Sequence, residues 1–173
     1  MRDILYQGKQ RDNGEWVEGL YMLYLKDGYH DIYEHIIIPV PYGMQLGISY
    51  TEEAYIVDYA EVDPDTIGEY TGLYDSKGNK IYEGHILRYC DLTQYHCYED
   101  SLEDPDAYDG EIYKPDYKYG AVFYDTEYLP GFDITNHDFD CNGLSELICS
   151  GDYHYEVIGN IHDYPNDIQG EKL

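Results

Sequence analysis

Short runs of apolar and aromatic residues, separated by Gly, Asn, Asp and Pro, recur along the chain, and helical periodicity is hard to find. This pattern is typical of antiparallel β structure, in which short strands are joined by tight turns. It predicts one short helix over 143–149 and a loop over 43–50. The predicted strands cover residues 4–9, 16–25, 29–38, 54–62, 70–74, 80–89, 121–124 and 153–161. The sequence therefore predicts a mainly β protein with little helix.

Two turn signals and one boundary signal organise these strands. Asp12-Asn13-Gly14 predicts a tight hairpin, because Asn and Gly tolerate positive φ, and residues 75–79 predict a second hairpin. Asp63 precedes Pro64, an arrangement that caps a short turn and begins a new unit. We therefore predict an N-terminal β unit over 1–62 and a C-terminal β unit over 63–173.

The apolar alternation disappears between residues 91 and 118, where acidic residues, Pro and Gly dominate. We interpret 91–118 as an exposed insertion in the C-terminal unit, because like charges repel one another and keep a segment extended. Residues 99–111 contain seven carboxylates and no base. They are Glu99, Asp100, Glu103, Asp104, Asp106, Asp109 and Glu111.

The whole chain is also strongly acidic. It carries 36 Asp and Glu against 10 Lys and Arg, for a formal net charge of -26, together with 24 Tyr. Such a charge repels nucleic acid and anionic membranes and attracts basic partners. An alternative interpretation is that the carboxylates only keep a tyrosine-rich β protein soluble. Aromatic content this high still supplies a core, so the charge does not predict disorder.

Segments that direct export or membrane insertion are not predicted. The first ten residues are charged at Arg2, Asp3 and Lys9 and have no apolar region, and the apolar run at 36–38 is far shorter than a bilayer span. We therefore expect a cytoplasmic protein. Its four cysteines are expected to be free thiols, namely Cys90, Cys97, Cys141 and Cys149.

Catalytic and metal-binding motifs are weak or missing. No phosphate-binding loop or nucleophile elbow occurs, and the cysteines are spaced too widely for a short zinc knuckle. Asp138, Asp140 and Asn142 match the first half of a calcium loop, but Cys149 stands where the loop needs a bidentate Glu. We expect no enzymatic activity and no cofactor, and we keep those three residues only as a weak calcium candidate.

Three blocks of sequence resemble the YopX family of phage and prophage proteins: MRDILYQGKQRDNGEWVEGLY, VDPDTIGEYTGLYDSKGNKIYEGHILRY and YEVIGNIHDYP. The resemblance implies a mostly β, phage-derived protein with an N-terminal sheet unit and a C-terminal unit like a small barrel (SH3-like). It implies no activity. The chain departs from the family pattern at His85, where family members tend to carry Asp, and the acidic insertion has no counterpart in that pattern.

These observations lead to one functional hypothesis and two alternatives. We hypothesise a non-enzymatic phage or prophage protein that binds a basic host protein in the bacterial cytoplasm. The seven carboxylates of 99–111 act together as a charge patch, and in the extreme case the acidic surface imitates DNA. The alternatives are a structural homo-oligomer that assembles through strand edges, and a small-ligand binder with a pocket between the two β units.

Overall fold

Antiparallel strands make up most of the secondary structure in the computed structural model of the chain, so the predicted mainly β class is confirmed. The structure describes nine ranges of residues: 4–25, 33–39, 46–48, 54–56, 59–91, 117–126, 130–135, 143–151 and 153–163.

The described part contains twelve strands, one 3₁₀ turn and one helix, α1 (Leu144–Ser150). The 3₁₀ turn covers Pro64–Thr66. The strands are β1 (Tyr6–Lys9), β2 (Trp16–Leu25), β3 (Tyr33–Pro39), β4 (Leu46–Ile48), β5 (Ala54–Ile56), β6 (Ala60–Glu61), β7 (Gly68–Tyr74), β8 (Lys80–Tyr82), β9 (His85–Asp91), β10 (Lys118–Asp125), β11 (Gly131–Ile134) and β12 (Tyr153–Asn160).

The chain divides into two compact units, Met1–Gly72 and Leu73–Leu173, and β7 crosses from one to the other. The sequence prediction placed the division earlier, between residues 62 and 63. Residues 63–72 belong to the first unit by their contacts: Asp63 N donates to Lys9 O, and Tyr70 N donates to Leu5 O. Each unit is described separately below.

The first unit is an antiparallel sheet in the order β6-β3-β2-β1-β7, and β8 pairs with β7 beyond the boundary. Strands β4 and β5 form a separate antiparallel pair. The predicted hairpin between β1 and β2 is confirmed, with Lys9 opposite Trp16 and Gly14 at φ +72° in the turn. The predicted cap is confirmed as well, because the side chain of Asp63 accepts a hydrogen bond from Asp65 N at the start of the 3₁₀ turn.

The core of the first unit centres on strand β3, where three successive isoleucines are buried: Ile36, Ile37 and Ile38. Successive side chains of a strand point to opposite faces, so β3 is buried on both faces along these residues. It lies between β6 and β2 in the sheet. Gly19 on β2 allows the close approach of β3, because a Cβ at this position would lie 2.0 Å from the carbonyl oxygen of Ile38. No side chain fits there without moving the backbone.

The second unit is an open antiparallel sheet in the order β11-β10-β9-β12. Its core contains the fully buried side chains of Leu87, Tyr89 and Leu144, with α1 supplying the last of these. The barrel-like unit expected from the resemblance is wrong for the described residues, since β11 and β12 form the two edges and do not pair. Asp75 and Ser76 bond the outer edge of β12, as described below.

Several boundaries differ from the prediction. Strand β4 lies inside the predicted loop 43–50, and β11 was not predicted. The single strand predicted over 80–89 is interrupted at Glu83 and Gly84, where Gly84 adopts φ +82° and donates its N–H to Val122 O. Helix α1 confirms the predicted short helix to within one residue.

Candidate functional site

The candidate binding and metal residues predicted from the sequence lie outside the described part of the structure. This holds for all seven carboxylates of the acidic segment: Glu99, Asp100, Glu103, Asp104, Asp106, Asp109 and Glu111. It also holds for the calcium candidate, Asp138, Asp140 and Asn142. Both assignments stay predictions.

The two ends of the insertion are described, and they lie side by side. Strand β9 leads into it and β10 leads out of it, and Lys118 near the start of β10 pairs with Tyr89 near the end of β9. The acidic segment therefore connects neighbouring antiparallel strands, in the topological position of a hairpin loop. Beyond this pair, the sheet continues to β12 next to β9 and to β11 next to β10.

A second group of carboxylates comes together at one end of the first unit. Asp12 and Glu15 lie in the β1–β2 turn, and Asp63 and Asp65 lie about fifty residues later, at the 3₁₀ turn; all four are exposed. We call these four residues the acidic end.

Main-chain hydrogen bonds hold the two halves of the acidic end together. Arg11 N donates to Glu61 O at 2.9 Å, and Asp63 N donates to Lys9 O at 2.9 Å. The nearby bases are Arg11 and Lys9, and the ammonium of Lys9 lies 5.5 Å from the centre of the Trp16 ring. Among the described residues, these four carboxylates outnumber the two nearby bases, so the acidic end carries a local excess of negative charge.

Asp75 accepts four hydrogen bonds and organises the β7–β8 turn. Its Oδ1 accepts the N–H groups of Lys77 and Asn79 at 2.9 and 2.8 Å. Its Oδ2 accepts the Asn79 side-chain amide and Val157 N, both at 3.0 Å. Only 6% of its surface is exposed. This carboxylate is structural, since its lone pairs already have protein donors.

The same turn covers the outer edge of β12. Ser76 N donates to Tyr155 O, Tyr155 N donates to Ser76 Oγ, and Val157 N donates to Asp75. Residues two apart on a strand direct their main-chain groups to the same side, so Asp75 and Ser76 take the place of a neighbouring strand. An edge covered in this way is protected from pairing with another chain.

Two opposing effects act on the pKa of Asp75. Burial alone raises it, but the hydrogen bonds from Asn79, Val157 and Lys77 favour the charged form and together hold the pKa below its ordinary value. Asp75 is therefore an anion at neutral pH, and its two oxygens accept hydrogen bonds from protein donors.

His85 is half-buried beside this turn. Its Nδ1 lies 3.3 Å from Tyr82 N and accepts that N–H, and its ring meets the Tyr82 ring edge-on at 5.5 Å. Burial lowers the pKa of His85 to about 4, although the nearby charge of Asp75 opposes the shift. His85 is therefore neutral at physiological pH. A carboxylate oxygen at this position would also accept the N–H of Tyr82.

Glu156 on β12 joins two of the bases of the second unit. Lys77 and Arg88 both pair with its carboxylate, and the Arg88 guanidinium lies 4.6 Å from the centre of the Tyr117 ring. Hydrogen bonds from Lys77 and Arg88 lower the pKa of Glu156, and its carboxylate raises the pKa of Arg88. Two cations pair with one carboxylate in this cluster, so fewer cations are left to neutralise the other carboxylates of the protein.

A metal centre does not emerge from the described residues, which contain no group of three or more His, Cys, Asp or Glu side chains suited to an ion. Cys90 is a buried free thiol and Cys149 an exposed one. Within the described part of the chain, no helix is long and apolar enough to cross a membrane.

The acidic end, the Asp75 turn and the Glu156 cluster were not singled out from the sequence. For Asp75 a local signal existed, because an Asp four residues before an Asn in a Gly-containing turn is suited to bonding its own turn. The acidic end had no such signal, since its two halves are separated by about fifty residues.

The fold and these surfaces define a two-unit, mainly β, strongly acidic protein. The family model for YopX protein matches residues 42–169, which is well over half of the chain. The protein belongs to the YopX family. Two of the three resembling blocks fall inside the matched range, and they are the two that Asp75 joins through its bond to Val157.

One solved structure shares the fold along nearly the whole chain. The crystal structure of protein EF1440 from Enterococcus faecalis is 21% identical, with a TM-score of 0.53, and the match covers 98% of this chain and 100% of that one. At this identity the likeness concerns the fold alone. No curated protein matches the chain.

Proposed function

We propose that this protein is a non-enzymatic, phage-derived interaction protein whose carboxylates act together on a basic protein of the bacterial host. The observation that carries the proposal is the charge balance. If each of the 10 Lys and Arg paired with a separate carboxylate, 26 of the 36 carboxylates would still have no basic partner. A surface of this kind steers cationic proteins toward it.

Two surfaces supply the charge in this proposal. One is the acidic segment 99–111, and the other is the acidic end at Asp12, Glu15, Asp63 and Asp65. Exposed carboxylates contribute only ~0 to 1 kcal/mol each, so binding depends on their number and spacing rather than on any single residue. Duplex DNA presents a comparable row of charges, about one per 1.7 Å of its axis, and the partner is then a DNA-binding protein.

The experiment is capture of host proteins by the immobilised protein at about 50 mM and about 500 mM salt. Basic proteins retained at low salt and released at high salt are the expected result. Duplex DNA added at low salt should release the same proteins, because both ligands occupy one basic site. Recovery of no basic protein at either salt concentration contradicts the proposal.

Two matched variants locate the binding surface. In the first, the seven carboxylates of 99–111 are replaced by the corresponding amides; in the second, Asp12→Asn, Glu15→Gln, Asp63→Asn and Asp65→Asn are combined. Asn at position 63 retains a side-chain oxygen for the cap. The proposal expects the first variant to lose most of the captured protein and the second to lose less.

The homo-oligomer remains the alternative. Light scattering over a range of concentrations distinguishes it from the proposal, because a mass that rises with concentration indicates self-association.

A further inference from the structure

One face of the first unit carries a group of exposed apolar side chains. In the β2–β3 pair, Leu23 lies opposite His35 and Leu25 lies opposite Tyr33. Opposed residues of an antiparallel pair project to the same side, and so do residues two apart on a strand. Leu23, Leu25 and Tyr33 therefore share one face, with 54%, 37% and 55% of their surfaces exposed. We call these three residues the apolar face.

The apolar face continues into an ordered aromatic cluster. Tyr21 lies two residues before Leu23. Its hydroxyl is hydrogen-bonded to His35 Nδ1 at 2.8 Å, and its ring stacks on the His35 ring. The Tyr6 ring lies 5.4 Å from the Tyr21 ring. These contacts fix the strands beneath the apolar face, so a ligand that binds there meets a preformed surface.

The charges around this face decide which partner suits it. Residues 19–25 contain no charged side chain, and residues 33–39 contain no Lys or Arg. A second copy of the chain would bring another net charge of -26 toward the first, whereas a cationic protein is attracted. We propose that the apolar face binds an apolar segment of a basic partner protein. This inference rests on the proposed function and adds the contact surface to it.

The two surfaces then have separate tasks. The carboxylates raise the rate of encounter, and the apolar face lengthens the lifetime of the complex, because desolvated apolar contacts at the centre of an interface supply most of its affinity. Rim charges alone give binding that salt abolishes.

The test uses two synthetic peptides of equal length and equal lysine content. One alternates leucine with lysine and the other alternates serine with lysine. Fluorescence anisotropy at low salt measures the Kd of each for the intact protein. The leucine–lysine peptide should bind at least about tenfold more tightly, because burying even one leucine side chain corresponds to more than a tenfold change in Kd.

A double variant, Leu23→Ser with Tyr33→Ser, should reduce the preference for the leucine–lysine peptide to about twofold or less and leave the Kd of the serine–lysine peptide unchanged. Both residues are more than half exposed, so the change should not unfold the protein, and thermal unfolding checks this. Phe123→Ser is the matched control, since Phe123 is an exposed aromatic residue of the second unit.

The outcomes separate this inference from the proposed function. If both peptides bind equally at low salt, the carboxylates bind basic partners but the apolar face does not, and the inference is overturned. If neither peptide binds, both proposals are wrong. A dimer in sedimentation analysis that the double variant abolishes assigns the face to a second copy, which also overturns the inference.

Discussion

Asp75 shows how one side chain can take over the role of a strand. Its four hydrogen bonds organise the β7–β8 turn and satisfy Val157 N on the outer edge of β12. A buried N–H that loses its acceptor destabilises the fold by about 1–3 kcal/mol, which is more than the roughly 1 kcal/mol that an average hydrogen bond contributes. Removing the acceptor oxygens of Asp75 is therefore expected to be costly.

We expect Asp75→Asn to lower the free energy of unfolding by about 1–3 kcal/mol. An amide has one acceptor oxygen in place of two, and its NH₂ group faces donors that need an acceptor. Urea denaturation measures the change. Asp12→Asn, in an exposed turn, is the control and should change stability by less than about 0.5 kcal/mol. Equal effects of the two substitutions would show that Asp75 is not an anchor.

Because the pKa of Asp75 is lowered in the folded protein, its contribution to the free energy of unfolding depends on pH. In the unfolded chain the carboxyl takes up a proton at a higher pH than in the folded protein. The contribution of Asp75 is therefore present above the ordinary carboxyl pKa and is lost as the pH falls through the folded pKa. The Asp75→Asn variant should lack this part of the acid transition.

His85 makes a separate prediction in a higher pH range. Its folded pKa of about 4 lies below the ordinary value of 6.5, so between these values the unfolded chain binds more protons. The contribution of His85 is complete above pH 6.5 and decreases as the pH falls toward 4. We expect a loss of about 1–3 kcal/mol across this range.

The conservative variant His85→Asn tests the prediction, because Asn offers an oxygen to Tyr82 N and does not titrate. Its unfolding free energy should vary less between pH 4 and pH 6.5 than that of the parent protein. NMR titration of the imidazole reads the pKa directly. An imidazole that titrates near its ordinary value would contradict the buried environment described for His85.

Among the secondary-structure elements, the β9–β10 pair allows a clean test of the acidic insertion. Lys118 pairs with Tyr89, so the ends of residues 92–116 are adjacent. Replacing 92–116 by a short Asn-Gly turn should preserve the fold, because strand pairing does not depend on the length of the loop and a shorter loop closes at lower entropic cost.

The replacement should give an unchanged far-ultraviolet circular dichroism spectrum per strand residue and an equal or higher melting temperature, while most host-protein capture is lost. Loss of cooperative unfolding would show that the segment belongs to the fold. Capture at the original level would instead place the binding surface elsewhere, with the acidic end as the next surface to test.

The elements that sequence patterns predicted are those whose signals are local. The β1–β2 hairpin followed from Asn13-Gly14, the cap from Asp63-Pro64, and the short helix from residues 143–149. Strand β11 was not predicted because it is only four residues long, and its Gly131 and Asp133 are poor strand formers.

Contacts between residues far apart in the chain could not be predicted from the sequence pattern. Nothing near Asp75 in the chain indicates that it bonds Val157, 82 residues later. This contact covers part of the outer edge of β12, and among the described residues β12 pairs with β9 and not with β11. The two halves of the acidic end meet through the β1–β2 turn and the 3₁₀ turn, a pairing that only the fold supplies.

For the molecule as a whole, the net charge of -26 predicts that added salt increases stability. Self-repulsion raises the free energy of the folded state, and salt screens it over a Debye length of about 10 Å at 0.1 M. We expect the melting temperature to rise by several degrees between about 20 mM and about 500 mM sodium chloride.

A non-ionic osmolyte of equal osmolarity is the control, because it leaves the charges unscreened. A melting temperature that falls with salt would show that attractive ion pairs outweigh the repulsion. The shared pairing of Lys77 and Arg88 with Glu156 makes that result unexpected, since it leaves fewer cations for the other carboxylates.

The pairing of β9 with β12 has a consequence for synthesis. Arg88 and its partner Glu156 are 68 residues apart, so β9 leaves the ribosome long before the strand that covers one of its sides has been translated. A nascent or truncated chain that stops before β12 presents a bare β9 edge to other nascent chains and to proteases. Premature termination should therefore produce insoluble or rapidly degraded fragments rather than a smaller working protein.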